Sequence, residues 1–291
     1  MTLGLATLQI NTLIDGLVAN GSNLFGSTFF FGLQYPLHEG TMASVTWAQR
    51  LYQFPLGVFG IAVATSIYPL LAKQASKHDT FSSTLRRGLR LVVFIGLPAS
   101  AGLIIVGEPL VAAVFQGDKF TSSDVVTVGS ILLGYASAVW AYSMAQVLTR
   151  GFYAKGDMIT PVKIAMACVA LNFVLNISLI WTPLGASGLA WSTAICAVVN
   201  VCGLLVCMER FVTRPLNTEV IHSFAATAIL TFIMSIAVWV VVHQLWQTGG
   251  NWSSSLVPLA LSVVVGILVF AVGSKILKRP ELRWVVGKGS R

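Results

Sequence analysis

The chain has 291 residues, 56% of them hydrophobic and only 10% charged, against about 25% charged in an ordinary soluble domain. That leaves too little polar material to cover a soluble core, and too little charge for a disordered or nucleic-acid-binding protein. The chain reads as an integral membrane protein, so its net charge of +8 is first a question of where Lys and Arg lie relative to the bilayer.

A membrane-spanning helix takes about 20 mostly apolar residues. Eight such runs occur, at 3–20, 43–70, 88–107, 125–149, 161–181, 185–208, 220–244 and 256–276. The first has no basic leader before it and no small-residue cleavage site after it, so a cleaved signal peptide is not expected. The connection 21–42 is rich in glycine and aromatics, and its Phe29, Phe30 and Phe31 suit a membrane interface. Pro55 and Pro98 fall inside spans two and three, where the lost backbone bond predicts kinks. Residues 110–115, after Gly107-Glu108-Pro109, read as a re-entrant or interfacial turn. Thr121 and Asp124 have the spacing of a capping box opening span four. A tight basic loop, 151–160, is expected to restart a helix at Pro161. Trp239, Trp246 and Trp252 gather at one end of the last hairpin, as an aromatic belt would.

The connections set the topology. Lys73, Lys77, Arg86, Arg87 and Arg90 follow span two, Arg150, Lys155 and Lys163 follow span four, and Arg210 and Arg214 follow span six. Beyond span eight come Lys275, Lys278, Arg279, Arg283, Lys288 and Arg291. Sixteen of the 18 basic residues thus lie on one side. The other side carries Lys119 with Glu39, Glu108, Asp118 and Asp124. The positive-inside rule then predicts a multi-pass membrane protein of eight spans with both termini cytoplasmic.

Ionisable residues inside a span are costly and mark function by default. Asp15 in span one and Arg50 in span two are the two that stand well inside. Counting from the outer ends places Asp15 roughly 7–8 Å deep and Arg50 roughly 10 Å deep. Two readings stay open at this point. In one, Asp15 and Arg50 share a polar cavity; in the other, Arg50 snorkels to the headgroups and Asp15 merely pairs with it. Asn172 and Asn176, one turn apart on span five, and Asn200 on span six read as interhelical hydrogen-bonding groups. Cys168, Cys196, Cys202 and Cys207 fall in apolar runs and read as small buried hydrophobes. The sequence contains no nucleophilic triad, zinc motif, phosphate-binding glycine loop or paired carboxylates. An enzyme is therefore not expected, nor a metal or cofactor.

The segment Trp47-Ala48-Gln49-Arg50-Leu51-Tyr52-Gln53-Phe54-Pro55-Leu56-Gly57-Val58-Phe59-Gly60-Ile61-Ala62 resembles a signature of the MurJ (MviN) family, the lipid II flippases of peptidoglycan synthesis. Three more stretches resemble it in the expected order. These are Gln9-Ile10-Asn11-Thr12-Leu13-Ile14-Asp15, then Leu97-Pro98-Ala99-Ser100 with Phe115-Gln116-Gly117-Asp118-Lys119-Phe120, then Arg150-Gly151-Phe152-Tyr153-Ala154-Lys155-Gly156-Asp157 leading to Thr160-Pro161-Val162-Lys163.

The resemblance implies an all-α membrane protein of the MATE-like, MOP-type transporter class. Residues 1–208 would be the six-helix second lobe, 209–276 the C-terminal helix pair beside the lipid-tail groove, and 277–291 a basic cytoplasmic tail. Arg50 matches the family's cavity arginine, with Asp15 and Gln53 as further cavity residues and Pro55 and Pro98 as kinks. A guanidinium suits such a site because it meets phosphate oxygens in bidentate fashion. Gln49 stands where the family often has an acid. The implied partner is lipid II, an undecaprenyl-pyrophosphate-linked substrate, together with membrane lipids. The first lobe is missing, so the chain is expected to be a fragment, a split protein supplied with that lobe in trans, or half of a homodimer. The alternatives are a polysaccharide-unit flippase, a cation-coupled multidrug exporter of the same superfamily, or a non-transporting membrane partner.

Overall fold

The computed structural model describes residues 13–21, 35–117, 119–246 and 252–285, and among them the regular structure is all helical. Helix α1 (Thr41–Pro55), a π-turn (Leu56–Ile61) and α2 (Ala62–Lys73) make one crossing, and α3 (His78–Ile105) makes the next. A short α4 (Gly107–Phe115) precedes α5 (Ser122–Ala136) and α6 (Val139–Ala154), which share a crossing. Then come α7 (Ile159–Leu179), α8 (Ser187–Met208), α9 (Thr218–Leu245), α10 (Trp252–Ile276) and the six-residue α11 (Pro280–Val285). Seven of the eight expected crossings are thus present as long apolar helices among the described residues. Span 3–20 lies mostly outside them, with 13–19 helical. Phe29–Phe31, Gln9, Asn11, Asp118 and the end of the basic tail also lie outside.

Local chemistry explains the breaks. Pro55 has no N–H to give the carbonyl four residues back, and the chain rewinds at once into the wider π-turn. Gly60 lets α6 close on that turn, since a Cβ there would stand 2.6 Å from Ser143 Oγ. Pro98 is carried within the continuous helix α3. The α5–α6 crossing breaks at Ser137 and Ala138. There Ser137 Oγ donates back to the Gly134 carbonyl at 2.7 Å, and Ser100 Oγ on α3 accepts from Trp140 N at 3.1 Å.

The Thr121–Asp124 capping box forms as expected, with Thr121 N and Oγ1 each 2.8 Å from Asp124 Oδ2. Helix α7 starts at Ile159, ahead of the expected Pro161. Asp157 is the reason: it accepts from Ile159 N at 3.2 Å and Thr160 N at 2.9 Å, and Pro161 then falls in the first turn, where no donor is needed. The expected turn at 110–115 is helical instead, packed between α5 and α10. Helix α3 begins well before residue 88, because its polar first turns wind on beyond the apolar stretch.

Two large cores fill the bundle, with a smaller one around Val106, Met234 and Val238. One of the large cores surrounds Tyr52, Ile131, Leu132 and Tyr135, and the other surrounds Leu85, Leu89, Met144, Leu148, Phe152 and Leu204. Helix α8 packs on α5, α6 and α7, while α9 packs on α3 and α10. Large apolar side chains face outward along α9 and α10, among them Phe232 and Ile267, as surfaces meant for lipid do.

The basic connections meet at one end of the bundle. Lys155 Nζ donates to the Ala75 carbonyl at 2.6 Å and lies 4.3 Å from the Phe81 ring centre. Arg86 Nη2 donates to the carbonyls of Thr213 at 2.6 Å and Arg214 at 3.1 Å. At the other end, His38, Glu39, Trp47, Lys119, Asp124 and Ala186 border a cleft of about 440 Å³. This grouping follows the alternation of basic and non-basic loops in the sequence.

Candidate functional site

Asp15 is buried, 1% exposed, and its Oδ1 accepts from Asn176 Nδ2 on α7 at 2.7 Å. The same Nδ2 lies 3.0 Å from Asn172 Oδ1, one turn earlier. Asn172 Nδ2 reaches α8, at 3.2 Å from Ser192 Oγ and 3.3 Å from Thr193 Oγ1. The Ser192 hydroxyl also meets Asn176 Oδ1. Because an unmatched polar group is expensive in an apolar interior, these side chains satisfy one another in a closed network that ties three helical segments together. The interhelical role expected for Asn172 and Asn176 is thus what they have, whereas Asn200 Oδ1 is buried without a hydrogen-bond partner among the described residues.

A stack of tyrosines lies nearby. Tyr52 stacks on Tyr135 at 4.8 Å and on Tyr142 at 5.5 Å between ring centres. Gln49 Nε2 donates to Tyr135 Oη at 3.1 Å, so the residue standing where the family often has an acid joins α1 to α5. The tyrosines are interior side chains, which periodicity alone could not separate from ordinary core.

Arg50 faces the other way. Val45, Ala48 and Tyr52 are the buried residues of α1, and a residue two positions from Ala48 points to the opposite side of a helix. Arg50 is exposed, and among the described residues it forms no ion pair. Asp15 and Arg50 form no ion pair with each other, since Asp15 is held by Asn176 in the interior while Arg50 looks outward. Gln53 and Phe54 share the Arg50 face and are also exposed, Phe54 by 72%. The exposed side continues through Gly57, Val58, Phe59 and Ile61 of the π-turn. The result is a wall with one cation and one amide on a largely apolar surface.

Cys168 and Cys196 are buried, but Cys202 is exposed, on an outward face of α8 where an apolar environment suits a thiol equally well. His243 stacks on Trp239 at 5.0 Å. Among the described residues no three His, Cys, Asp or Glu side chains cluster as metal ligands. Within the tail, Glu281 is fully buried against Arg90, which nothing in the local sequence distinguishes from a solvated acid among arginines.

Seven long apolar helices among the described residues, two of them broken near mid-crossing, with Arg50 on an exposed apolar wall, define a multi-pass α-helical membrane protein. The fold matches an outward-facing multidrug resistance MATE family transporter of the MOP superfamily with a TM-score of 0.60 at 16% identity, covering 94% of this chain and 61% of that one. A closer match is the structure described as lipid II flippase MurJ in an inward closed conformation, with a TM-score of 0.74 at 24% identity, covering 94% of this chain and 51% of that one. Over residues 1–261 the chain matches the family model described as lipid II flippase MurJ, and it belongs to that family. A probable lipid II flippase MurJ of Vibrio cholerae serotype O1 is 31% identical over 271 residues, which is 91% of this chain and 47% of the relative. The chain spans about half the length of the curated relatives it matches.

Proposed function

We propose that the chain is the second lobe and C-terminal helix pair of a lipid II flippase, and that it helps move the headgroup of a lipid-linked peptidoglycan precursor across the cytoplasmic membrane by alternating access. Residues 1–208 form the lobe, 209–276 the pair beside the lipid tail, and 277–291 a basic tail. Both termini are cytoplasmic, on the side of the Lys- and Arg-rich loops. The rocking of two bundles requires a first lobe, supplied in cis or in trans.

One observation carries the reading. Arg50 is exposed on an apolar crossing and has no ion-pair partner among the described residues. A guanidinium left facing hydrocarbon is costly, whereas the same group facing a water-filled cavity between two lobes is free to meet pyrophosphate. Gln53, on the same face, would add a sugar- or phosphate-directed amide. Asp15 is assigned to the floor of that cavity region, acting through the network that fixes α7 and α8. Pro55 and its π-turn allow the wall to bend as the lobes rock.

The test is lipid II flipping in vesicles that contain the chain together with a first lobe, comparing Arg50 with Arg50→Ala and Arg50→Lys. The Ala variant should lose most transport and headgroup binding, and Lys should restore part. Unchanged transport by Arg50→Ala would refute the role given to that residue.

A further inference from the structure

The end of the bundle where the basic loops meet holds a second polar cluster, built around α11. Glu281 is fully buried there. Its Oε1 accepts from Arg90 Nε on α3 at 2.8 Å and from Ser223 Oγ on α9 at 2.7 Å, with Arg90 Nη2 also at 2.7 Å. Arg279 Nη2 reaches the same serine, at 2.9 Å from its carbonyl and 2.7 Å from its hydroxyl. Trp284, one turn beyond Glu281, lies 4.6 Å from the Arg87 guanidinium and 5.2 Å from that of Arg90.

The cluster is unbalanced in charge and in hydrogen bonding. Among the described residues three guanidinium groups gather at α11 with one carboxylate: Arg90 and Arg279 pair with Glu281, and Arg87 lies over Trp284 beside them. Arg279 Nε and Glu281 Oε2 form an ion pair at 3.2 Å, but among the described residues neither atom makes a well-aligned hydrogen bond. Taking ions out of water is repaid only where the geometry is excellent and the remaining lone pairs are met, and here one carboxylate oxygen is held by charge without a hydrogen bond among the described residues. A helix of six residues has no stability of its own, so α11 is held by this carboxylate and by Trp284. The arrangement suits a group with more charge and more acceptor oxygens than a carboxylate, and a phosphate is that group. Arg87 and Arg90 stand where the polar first turns of α3 give way to its apolar stretch, the part of a spanning helix that suits contact with lipid headgroups.

We propose that Arg87, Arg90 and Arg279 form a binding site for a phosphate group, carried by an anionic lipid headgroup or by free phosphate, and that Glu281 is the built-in competitor occupying it when phosphate is absent. Phosphate displaces Glu281, frees α11 and loosens the tie through Ser223 between α9 and α3. The site is separate from the Arg50 wall, and the proposal does not depend on the flippase reading.

The experiment is hydrogen exchange of residues 279–285 in the full chain reconstituted in phosphatidylcholine vesicles. One arm adds phosphatidic acid to the bilayer and the other adds inorganic phosphate to the buffer. Exchange should rise about tenfold in at least one arm, equivalent to about 1.4 kcal/mol, and the arm that responds identifies the source. Glu281→Gln should bind the active probe about tenfold more tightly, and Arg87→Gln, at an exposed position, should bind it several-fold more weakly. Thermal unfolding checks that both variants are folded; if Glu281→Gln is not, Arg87→Gln decides. Exchange unmoved by both probes, or affinity unchanged in the folded variants, would overturn the proposal and leave α11 as a plain anchor.

Discussion

Asn176 donates to Asp15 across 2.7 Å in the interior of the lobe, joining the helical stretch 13–19 to α7. The two side chains differ in what their removal leaves behind. Asn176→Ala strips a buried carboxyl of its amide donor, and a lost hydrogen bond to such a buried group costs about 1.5–3 kcal/mol. Asp15→Asn keeps an acceptor oxygen and removes the charge, so it should cost nearer the single membrane hydrogen bond, about 0.6–1.7 kcal/mol. Thermal unfolding in nanodiscs should rank Asn176→Ala below Asp15→Asn. The reverse order would mean that the carboxylate is not what the amide serves.

How much of this was legible beforehand differs from residue to residue. The long apolar runs, the Thr121–Asp124 box and the Asn172–Asn176 pair were readable because each depends on local spacing. The helix starts at His78 and Ile159 were missed for a local reason too, since polar turns wind on past the apolar limit and Asp157 supplies the cap. The Asp15–Arg50 relationship could not be read from depth alone. Two residues at one level of a bilayer meet only if their helices turn the same faces together, and Ala48 and Tyr52 took the packed face of α1. Glu281 was hidden because a solvated acid and a buried one look identical in a tail of arginines.

Close helix packing makes a second test. A Cβ at Gly134 would stand 2.7 Å from Ala190 Cβ and 3.1 Å from Trp191 N, and part of that obstacle is backbone that cannot swing aside. Gly134→Ala should therefore push α5 from α8 and cost about 1–3 kcal/mol. At Gly102 in α3 a Cβ meets nothing within 4 Å, so Gly102→Ala should gain about 0.5–1 kcal/mol from helix propensity alone. Melting curves of the two variants should move in opposite directions.

Arg50 should separate stability from activity. Its side chain is exposed and unpaired among the described residues, so Arg50→Ala should change folding stability by less than about 0.5 kcal/mol. Headgroup affinity, measured with soluble pyrophosphate-bearing analogues in a two-lobed protein, should fall by about tenfold or more, the scale of a lost charge-assisted hydrogen bond. A variant that melts early and binds normally would reassign Arg50 to structure.

Glu281 predicts an acid-sensitive fastening of the C-terminal segment. Burial pushes its carboxyl upward, but the Ser223 hydroxyl, its own backbone N–H and the nearby Arg90 and Arg279 outweigh that and hold it below the ordinary glutamate range. The folded state therefore binds this proton less readily than the unfolded chain, whose glutamates titrate near ~4.3. Stability from this group is fully present above that value and is lost as pH falls through the lower, folded one. Melting temperature followed downward from neutral pH should show a loss below about pH 4 that is absent in Glu281→Gln. Exchange at residues 280–285 should rise over the same interval, ahead of exchange in the interior of α3. An equal acid response in the wild type and Glu281→Gln would show that the carboxylate is not what fastens α11 to Arg90.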